Sequence, residues 1–285
     1  MWPLCNMRFV TVATDDQGYF PYLLKSCQRH GVVLDVLGWG QPWKGYNWRI
    51  ELGLEYVNSL PENELVCFLD AYDVIICASA HDIVKRFLQM CDKYDAKIIT
   101  GFENPMNPVT KGLARYVFGT CNEKMLNAGT YVGSARHLAR LFDTMRSLTK
   151  NPQDNDQTVM TRACSMYPKG IHVDDKSELF LTLNSSFREV DVPIRDNGIV
   201  LDSGSRPCIL HANGNTRIDR VLRKLGYHVP IEFVQYMNRY QRRALIDKAK
   251  HYIKNFVPCI LVLVAIIYMA RTLMTTNMLT NRSIV

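Results

Sequence analysis

Apolar runs of strand length alternate with amphipathic segments over residues 7–103. Apolar positions three and four apart predict helices between these runs, and the runs themselves predict buried strands. Alternating strands and helices are typical of a parallel, doubly wound α/β sheet. The predicted strands are 7–16, 32–39, 65–76 and 97–103, and the predicted helices are 19–31, 48–60 and 81–94.

The second half of the chain has a less regular pattern. Segments 137–148 and 156–166 have helical spacing, whereas LNAGTYVGS, DNDQ and IHVDDKSELFLTLN show no clear period. A short apolar run, CIL, leads into His211 and the turn-forming run ANGN. A histidine at a strand end is more often structural than a ligand. Gly214 would nevertheless let the backbone approach an anion, and Arg217 would neutralise it.

Two acids, Asp70 and Asp73, interrupt the buried run VCFLDAYDVII. An unpaired buried carboxylate is costly, so these acids need a cation, hydrogen bonds or an exit to solvent. Side chains alternate along a strand, so both acids serve one site only if the strand ends near Asp70. Ligands bind at the carboxyl ends of parallel strands, and paired carboxylates suit a divalent ion. The alternative is that one acid caps a helix and the other meets Lys or Arg.

Composition favours a folded domain and narrows the choice of partners. The chain has 285 residues, is 47% hydrophobic and carries a formal charge of +7. Much of the excess charge lies within residues 239–254, so it does not indicate a nucleic-acid-binding surface. The nine cysteines include no C-x-x-C pair, and we expect most of them to be reduced thiols of a non-oxidising compartment. Trp39 is expected to be a core residue.

The carboxyl-terminal segment is strongly apolar. No charge lies among the sixteen residues between Lys254 and Arg271, which would make about 24 Å of helix. We expect a membrane anchor rather than a buried core helix. The predicted division is a catalytic domain at 1–230, a basic amphipathic linker helix at 231–254, a transmembrane anchor at 255–275 and a short tail at 276–285.

Six ordered segments within residues 7–230 resemble the glycosyltransferase domain of the procollagen lysyl hydroxylases. VTVAT matches the family's T-V-A-T, LGWGQPW its L-G-x-G-x-x-W, and DAYDV its D-S-Y-D-V. MLNAGTYVG matches F-L-N-S-G-G-F-I-G, DNDQ an aspartate run before D-Q, and HANGNTR the pattern H-G-N-G-P-T-K. The resemblance implies a GT-A type fold, which is a Rossmann-like, mostly parallel sheet flanked by helices. It also implies a UDP-sugar donor and manganese.

The resemblance implies roles for individual residues. Asp70, Asp73 and His211 would be the ligands of Mn2+, and Gly214 and Arg217 would hold the diphosphate. Two carboxylates and an imidazole leave positions on a six-coordinate ion that diphosphate oxygens can fill. The metal would then act as a Lewis acid on the leaving UDP. The contacts to uridine and ribose would come from Val12, Thr14, Trp43 and Tyr72.

Two departures from the family pattern concern the sugar pocket. The run NAGT, beginning at Asn127, stands where the family has N-S-G-G, so the sequence does not identify the donor sugar. The resemblance still assigns Asn127 to the catalytic pocket. Asp154 and Asp156 replace a longer aspartate run. They are candidates for sugar or acceptor contacts, and one of them for a base. The run DND would equally serve to cap the helix beginning near Gln157.

The sequence therefore predicts a metal-dependent glycosyltransferase. It would move a hexose, glucose or galactose, from a UDP-sugar to a hydroxyl of a glycan or protein acceptor. The resemblance does not extend to the family's hydroxylase domain, so hydroxylysine of a collagen-like chain is only one such acceptor. The alternative is a membrane-anchored nucleotide-sugar-binding module without turnover, which the intact set Asp70, Asp73 and His211 disfavours.

Charges that flank the apolar segment predict its orientation. Six Lys and Arg residues lie within residues 239–254, against Arg271 and Arg282 on the other side. Basic flanks stay cytoplasmic, and the amino terminus does not read as a secretory signal. We therefore expect a cytosolic catalytic domain, whereas the resemblance implies the lumen of the endoplasmic reticulum.

Overall fold

A computed structural model describes residues 7–250, except 104–111, 113, 114, 117, 168, 169, 185, 186, 197 and 248. The chain divides into two units, one ending at Val229 and the other beginning at Pro230. The first unit has a central six-stranded sheet. Its strands are β1 (Met7–Val12), β2 (Leu34–Leu37), β3 (Leu65–Asp70), β5 (Ile98–Phe102), β6 (Leu126–Ser134) and β7 (Ile171–Asp174).

The central sheet is mostly parallel, in the order β2-β1-β3-β6-β5-β7. Strands β2, β1 and β3 run parallel, and so do β5 and β7. Strand β6 runs antiparallel to both of its neighbours. The predicted parallel sheet is thus confirmed apart from one antiparallel strand, which the sequence did not predict.

A second, smaller sheet of three strands lies beside the end of β3. It contains β4 (Val74–Ile76), β8 (Phe180–Thr182) and β11 (Ile209–His211), and a short hairpin joins β9 (Ile194–Arg195) to β10 (Gly198–Ile199). The predicted third strand is therefore split, because the chain bends at residues 71–73 between β3 and β4. The expectation that the strand ends near Asp70 is confirmed.

Helices cover both faces of the central sheet. Alternate residues of β3 explain this, since Cys67 and Leu69 belong to one core cluster and Val66 and Phe68 to the other. Helices α1 and α3 pack into the first cluster, and α2, α4 and α5 into the second. The helices are α1 (Phe20–Arg29), α2 (Tyr46–Asn58), α3 (Ala80–Tyr94), α4 (Ala135–Leu148), α5 (Asp156–Cys164) and α6 (Asp219–Lys224).

Three findings correct the sequence-based expectations. The irregular run LNAGTYVGS forms the longest strand of the sheet, β6, and nearly all of it is buried. Trp39 is 51% exposed rather than a core residue. Cys121 and Cys164 form a disulfide, which the sequence did not predict and which weighs against the expected non-oxidising compartment. Five other described cysteines are free, namely Cys27, Cys67, Cys77, Cys91 and Cys208.

The second unit is described only as far as residue 250. Residues 231–247 are helical, within the linker helix predicted at 231–254. No helix among the described residues has the length and apolar character needed to cross a membrane. The predicted anchor at 255–275 and the tail at 276–285 lie outside the described residues.

Candidate functional site

The ends of β3 and β11 meet at a candidate metal cluster, formed by Asp70, Asp73 and His211. Asp70 is the last residue of β3, and the bend after it places Asp73 directly before β4. His211 is the last residue of β11 and lies opposite Val74 of β4. One ligand atom from each of the three residues lies within 4.8 Å of the other two. The sheet therefore brings together the three residues that the sequence proposed as ligands.

The imidazole of His211 faces both carboxylates. Its Nε2 atom lies 3.4 Å from Oδ2 of Asp70 and 3.2 Å from Oδ1 of Asp73. His211 is only 1% exposed, and among the described residues neither ring nitrogen makes a hydrogen bond of favourable angle, although Nε2 lies close to both carboxylates. Two carboxylates and an imidazole suit a divalent first-row transition-metal ion such as Mn2+. The donor set fits the metal that the resemblance implies.

Gly129 of β6 leaves room beside this cluster. A Cβ atom at this position would lie 2.2 Å from Cε1 of His211 and 2.4 Å from Oδ2 of Asp70. Contacts this short would force the side chains of His211 and Asp70 to move. The observed arrangement of these two side chains therefore depends on a glycine at position 129.

Opposite charges set the protonation of the cluster. Burial opposes ionisation of Asp70, but Arg49 and His211 outweigh it and lower the pKa of Asp70 to about 2. Burial also opposes charge on His211, yet Asp73 and Asp70 raise its pKa to about 10. The positive charge of Arg49 and a protonated His211 therefore both favour the ionised carboxylates. A divalent cation bound there would take over that role.

Arg49 of α2 connects the cluster to α5. Its guanidinium lies 2.6 Å from Oδ1 of Asp70 and 2.8 Å from Oδ2 of Asp156. The side chains of Arg49 and Asp156 are 13% and 12% exposed, so this ion pair is shielded from bulk water, whereas the side chain of Asp70 is 31% exposed. Burial raises the pKa of Asp156, and Arg49 acts against this shift. Asp156, a predicted catalytic residue, is therefore linked to Asp70 by the shared ion pairs of Arg49.

A buried carboxylate, Glu103, ties three asparagines together after β5. Its oxygens accept hydrogen bonds from the amide groups of Asn127 at 2.6 Å, Asn184 at 2.7 Å and Asn213 at 3.0 and 3.1 Å. Asn127 also accepts a hydrogen bond of 2.9 Å from the backbone N–H of Gly129. Asn127, predicted to act in catalysis, is thus bound to Glu103 on one side and supports the glycine on the other.

Tyr72 is fixed beside the cluster by the loop after β1. Its hydroxyl accepts a hydrogen bond of 2.9 Å from the backbone N–H of Thr14 and lies 3.1 Å from the Thr14 hydroxyl. Its carbonyl accepts from the backbone N–H of Tyr19 at 2.8 Å. Val12, the last residue of β1, lies opposite Asp70 in the sheet. The predicted nucleotide residues Val12, Thr14 and Tyr72 therefore lie at the same edge as the metal cluster.

Other predicted nucleotide contacts have structural partners of their own. Trp43 is 47% exposed and packs edge-on against Tyr46 and Trp48. Gly214 follows β11 with a φ of 66°, a conformation that favours glycine. Arg217 forms an ion pair with Asp219 of α6. Any diphosphate bound by Arg217 would have to share its guanidinium with this carboxylate.

Asp154 lies in a turn before α5. Its carboxylate accepts hydrogen bonds from the backbone N–H groups of Lys150 at 2.8 Å and Asn151 at 3.0 Å. These hydrogen bonds lower its pKa. Asn155 caps α5 by accepting from the N–H of Thr158 at 3.1 Å. The capping role that the sequence left open for DND is therefore present, and a catalytic role for Asp154 stays a prediction.

Arg49, Glu103 and Gly129 are site residues that the sequence analysis did not identify. Arg49 lies in a segment of plain helical pattern, and Glu103 directly follows an ordinary strand. Gly129 was noted only as part of a motif. Their partners are distant in sequence, so no local signal marks the pairs. The only indication in the sequence was that Asp70 and Asp73, within an apolar run, require a cation or hydrogen bonds nearby.

Comparisons with known proteins agree with the resemblance. A family model described as PLOD GT domain matches residues 4–238. Procollagen-lysine,2-oxoglutarate 5-dioxygenase 1 of Gallus gallus is 25% identical over 244 residues, covering 79% of this chain and 32% of that protein. The human protein named multifunctional procollagen lysine hydroxylase and glycosyltransferase LH3 is also 25% identical, over 79% of this chain and 32% of its own length. The chain thus spans about a third of the curated relatives it matches.

Among solved structures, a similar chain is that of a glycosyltransferase involved in the glycosylation of the major capsid of PBCV-1. The two chains have 13% sequence identity and a TM-score of 0.48. The match covers 76% of this chain and 96% of the other.

Proposed function

The chain belongs to the PLOD GT domain family, and from that premise we propose that it is a metal-dependent glycosyltransferase using a UDP-sugar. It would transfer a hexose to a hydroxyl group of a protein or glycan acceptor. The observation that carries the proposal is the convergence of Asp70, Asp73 and His211 at one point beside Gly129. A pocket built only to bind sugar would not require these charges to meet.

The three residues would hold Mn2+ together with the diphosphate of the donor. The bound ion supplies Lewis-acid charge that stabilises the leaving UDP. The residues themselves orient the site, because Gly129 leaves the space and Arg49 fixes the second oxygen of Asp70. An arrangement held rigid before binding is what electrostatic catalysis requires.

The two sides of the metal cluster differ in chemistry. On one side are the polar groups Arg49, Asp156 and Asn127, which suit the hydroxyls of the transferred sugar. On the other side lie Thr14 and Tyr72, at the carboxyl ends of β1 and β3, where nucleotides bind in open α/β sheets. This division supports a donor lying across the cluster with its nucleoside over β1.

The acceptor is proposed by class only. The names of two relatives include procollagen lysine, and one also includes glycosyltransferase. Hydroxylysine in a collagen-like chain is therefore one acceptor to be tested, alongside other protein and glycan hydroxyls. The chain matches about a third of those proteins, so their acceptors are starting points for a screen.

The competing proposal is a nucleotide-sugar-binding module without turnover. One experiment separates the two functions. The purified full chain is incubated with a panel of UDP-hexoses, with and without Mn2+ and with candidate acceptor peptides and glycans, while UDP release is measured. Transfer predicts UDP release that needs Mn2+ and rises with one acceptor. Binding of a UDP-hexose without release of UDP would favour the binding module. No binding of any UDP-hexose would contradict both functions.

A further inference from the structure

Trp39 is an exposed aromatic residue at the edge of the sheet that carries the metal cluster. It lies in the loop directly after β2, and it is 51% exposed although tryptophan is usually well buried. Its ring stacks on Phe20 of α1, with ring centroids 5.2 Å apart and planes inclined by 28°. Phe20 covers one face of the indole, and the rest of the side chain is exposed and accessible to a ligand.

The loop holds Trp39 in place. Gly38 and Gly40 on either side have φ values of 74° and 72°, a backbone conformation that other residues rarely adopt. The N–H of Gly40 donates to the carbonyl of Thr14 at 3.0 Å, and the N–H of Gln41 donates to the carbonyl of Gly38 at 3.1 Å. An aromatic ring that is already ordered loses little entropy when a ligand stacks on it.

The same contacts link Trp39 to Tyr72. Phe20 packs edge-on against Tyr72, with ring centroids 6.4 Å apart, so three aromatic rings follow one another along this edge. We call Trp39, Phe20 and Tyr72 the aromatic ledge. Thr14 joins both ends of the ledge, because its carbonyl accepts from Gly40 and its N–H donates to the hydroxyl of Tyr72.

The ledge runs away from the metal cluster across neighbouring strands. Asp70 ends β3, and the loop of Trp39 follows β2, with β1 between these two strands. Two strand spacings separate them, ~10 Å in all. This is the reach expected between the metal-bound diphosphate of a nucleotide and its base. The polar groups Arg49 and Asp156 approach the cluster through α2 and α5 instead.

We propose that Trp39 stacks on the nucleobase of the donor, as the outer end of the aromatic ledge. The inference rests on the proposed function, because it takes a nucleoside diphosphate as the ligand. A flat, apolar base face fits the exposed indole, whereas the diphosphate requires the charges at the cluster. Trp39 would therefore add affinity for the nucleoside and none for the diphosphate.

Isothermal titration calorimetry with two probes tests this division. UDP and inorganic pyrophosphate, each with Mn2+, are titrated into the full chain and into Trp39→Ala, Trp39→Phe and a control. Met166→Ala is the matched control, since Met166 is 61% exposed and lies after α5. Stacking on an aromatic side chain contributes enough that Trp39→Ala should weaken UDP about tenfold. Pyrophosphate should bind all four proteins equally, and Trp39→Phe should keep most of the affinity for UDP.

Three results would overturn the inference while the wild-type chain still binds UDP. In the first, Trp39→Ala binds UDP as well as the wild type does. In the second, the variant loses affinity for UDP and pyrophosphate alike, which would show that the loop supports the metal cluster. In the third, Trp39→Phe loses as much affinity for UDP as Trp39→Ala does, which would show that stacking on an aromatic ring does not account for the binding. A wild-type chain that binds neither probe would instead contradict the proposed function.

Discussion

At the scale of single residues, the space beside Gly129 decides whether the side chains of the proposed metal ligands can converge. Gly129→Ala would place a methyl group against His211 and Asp70 at less than 2.5 Å. We expect Mn2+ affinity to fall at least about tenfold, while overpacking costs roughly 1–3 kcal/mol of unfolding free energy. Calorimetric titration of Mn2+ and urea unfolding measure the two effects separately.

Gly198→Ala is the control for this substitution. A Cβ atom at Gly198 would meet Arg195 at 3.9 Å, an ordinary contact, and the residue lies in the β9–β10 hairpin. It should leave Mn2+ affinity unchanged. Equal Mn2+ affinity in Gly129→Ala and the wild type would show that the ligands do not depend on this glycine.

Arg49 is the other residue whose role depends on charge at the cluster. Arg49→Met would leave Asp70 and Asp156 without their shared cation, and breaking a buried ion pair costs about 3 kcal/mol. Arg136→Met is the control, because its pair with Glu62 is exposed and should contribute less than about 1 kcal/mol. Urea unfolding at neutral pH compares the two variants. Similar losses in both would rule out a special role for Arg49.

The residues of the site divide into those that the sequence could reveal and those it could not. Asp70 and Asp73 stood out because two acids interrupt an apolar run, whereas His211, at the end of a short apolar strand, became a candidate ligand only through the family resemblance. Arg49 and Glu103 act through partners that only the folded sheet brings near. Trp39 was expected in the core because tryptophan is usually buried. The loop between Gly38 and Gly40 instead holds it at the surface.

At the scale of elements, regular hydrophobic patterns predicted most strands and helices of residues 7–103, and β6 shows where such patterns fail. This strand contains Asn127, Gly129, Thr130 and Gly133, which are small or polar and weaken any strand pattern. It is nevertheless buried between β3 and β5. Of these residues, Gly129 leaves room for the candidate metal cluster and Asn127 donates a hydrogen bond to Glu103, so the residues that shape the candidate site also weaken the strand pattern.

The disulfide between Cys121 and Cys164 fixes the end of α5 to the loop before β6. Closing a loop between residues 43 apart should stabilise the fold by roughly 2–4 kcal/mol. The double variant Cys121→Ser/Cys164→Ser should lose that free energy in urea unfolding without reductant. Dithiothreitol should lower wild-type stability to the same level and leave the double variant unchanged. A wild-type protein that is insensitive to reductant would contradict the pairing.

At the scale of the whole molecule, the compartment that contains the first unit, which we propose to be catalytic, can be tested directly. The flanking charge predicts a cytosolic domain, whereas the disulfide weighs against it because disulfides are rare in the cytosol. Protease is added to sealed microsomes from cells that express the chain. The charge-based prediction requires digestion of the catalytic unit without detergent. Protection until detergent is added would place the unit in the lumen, in agreement with the disulfide.

The central claim is that Asp70, Asp73 and His211 hold the metal on which transfer depends. Asp73→Ala tests it most directly, because Asp73 has no ion pair other than that with His211 among the described residues, so its loss should leave the fold intact. Asp143→Ala, which removes an exposed ion pair of α4, is the control.

The measurement is Mn2+-dependent UDP release from the preferred UDP-sugar, alongside unfolding curves for each protein. Asp70→Ala, Asp73→Ala and His211→Ala should each abolish release, because loss of one ligand weakens metal and UDP binding together. Asp143→Ala should match the wild type. Full Mn2+-dependent release in any two of the three ligand variants would contradict the account.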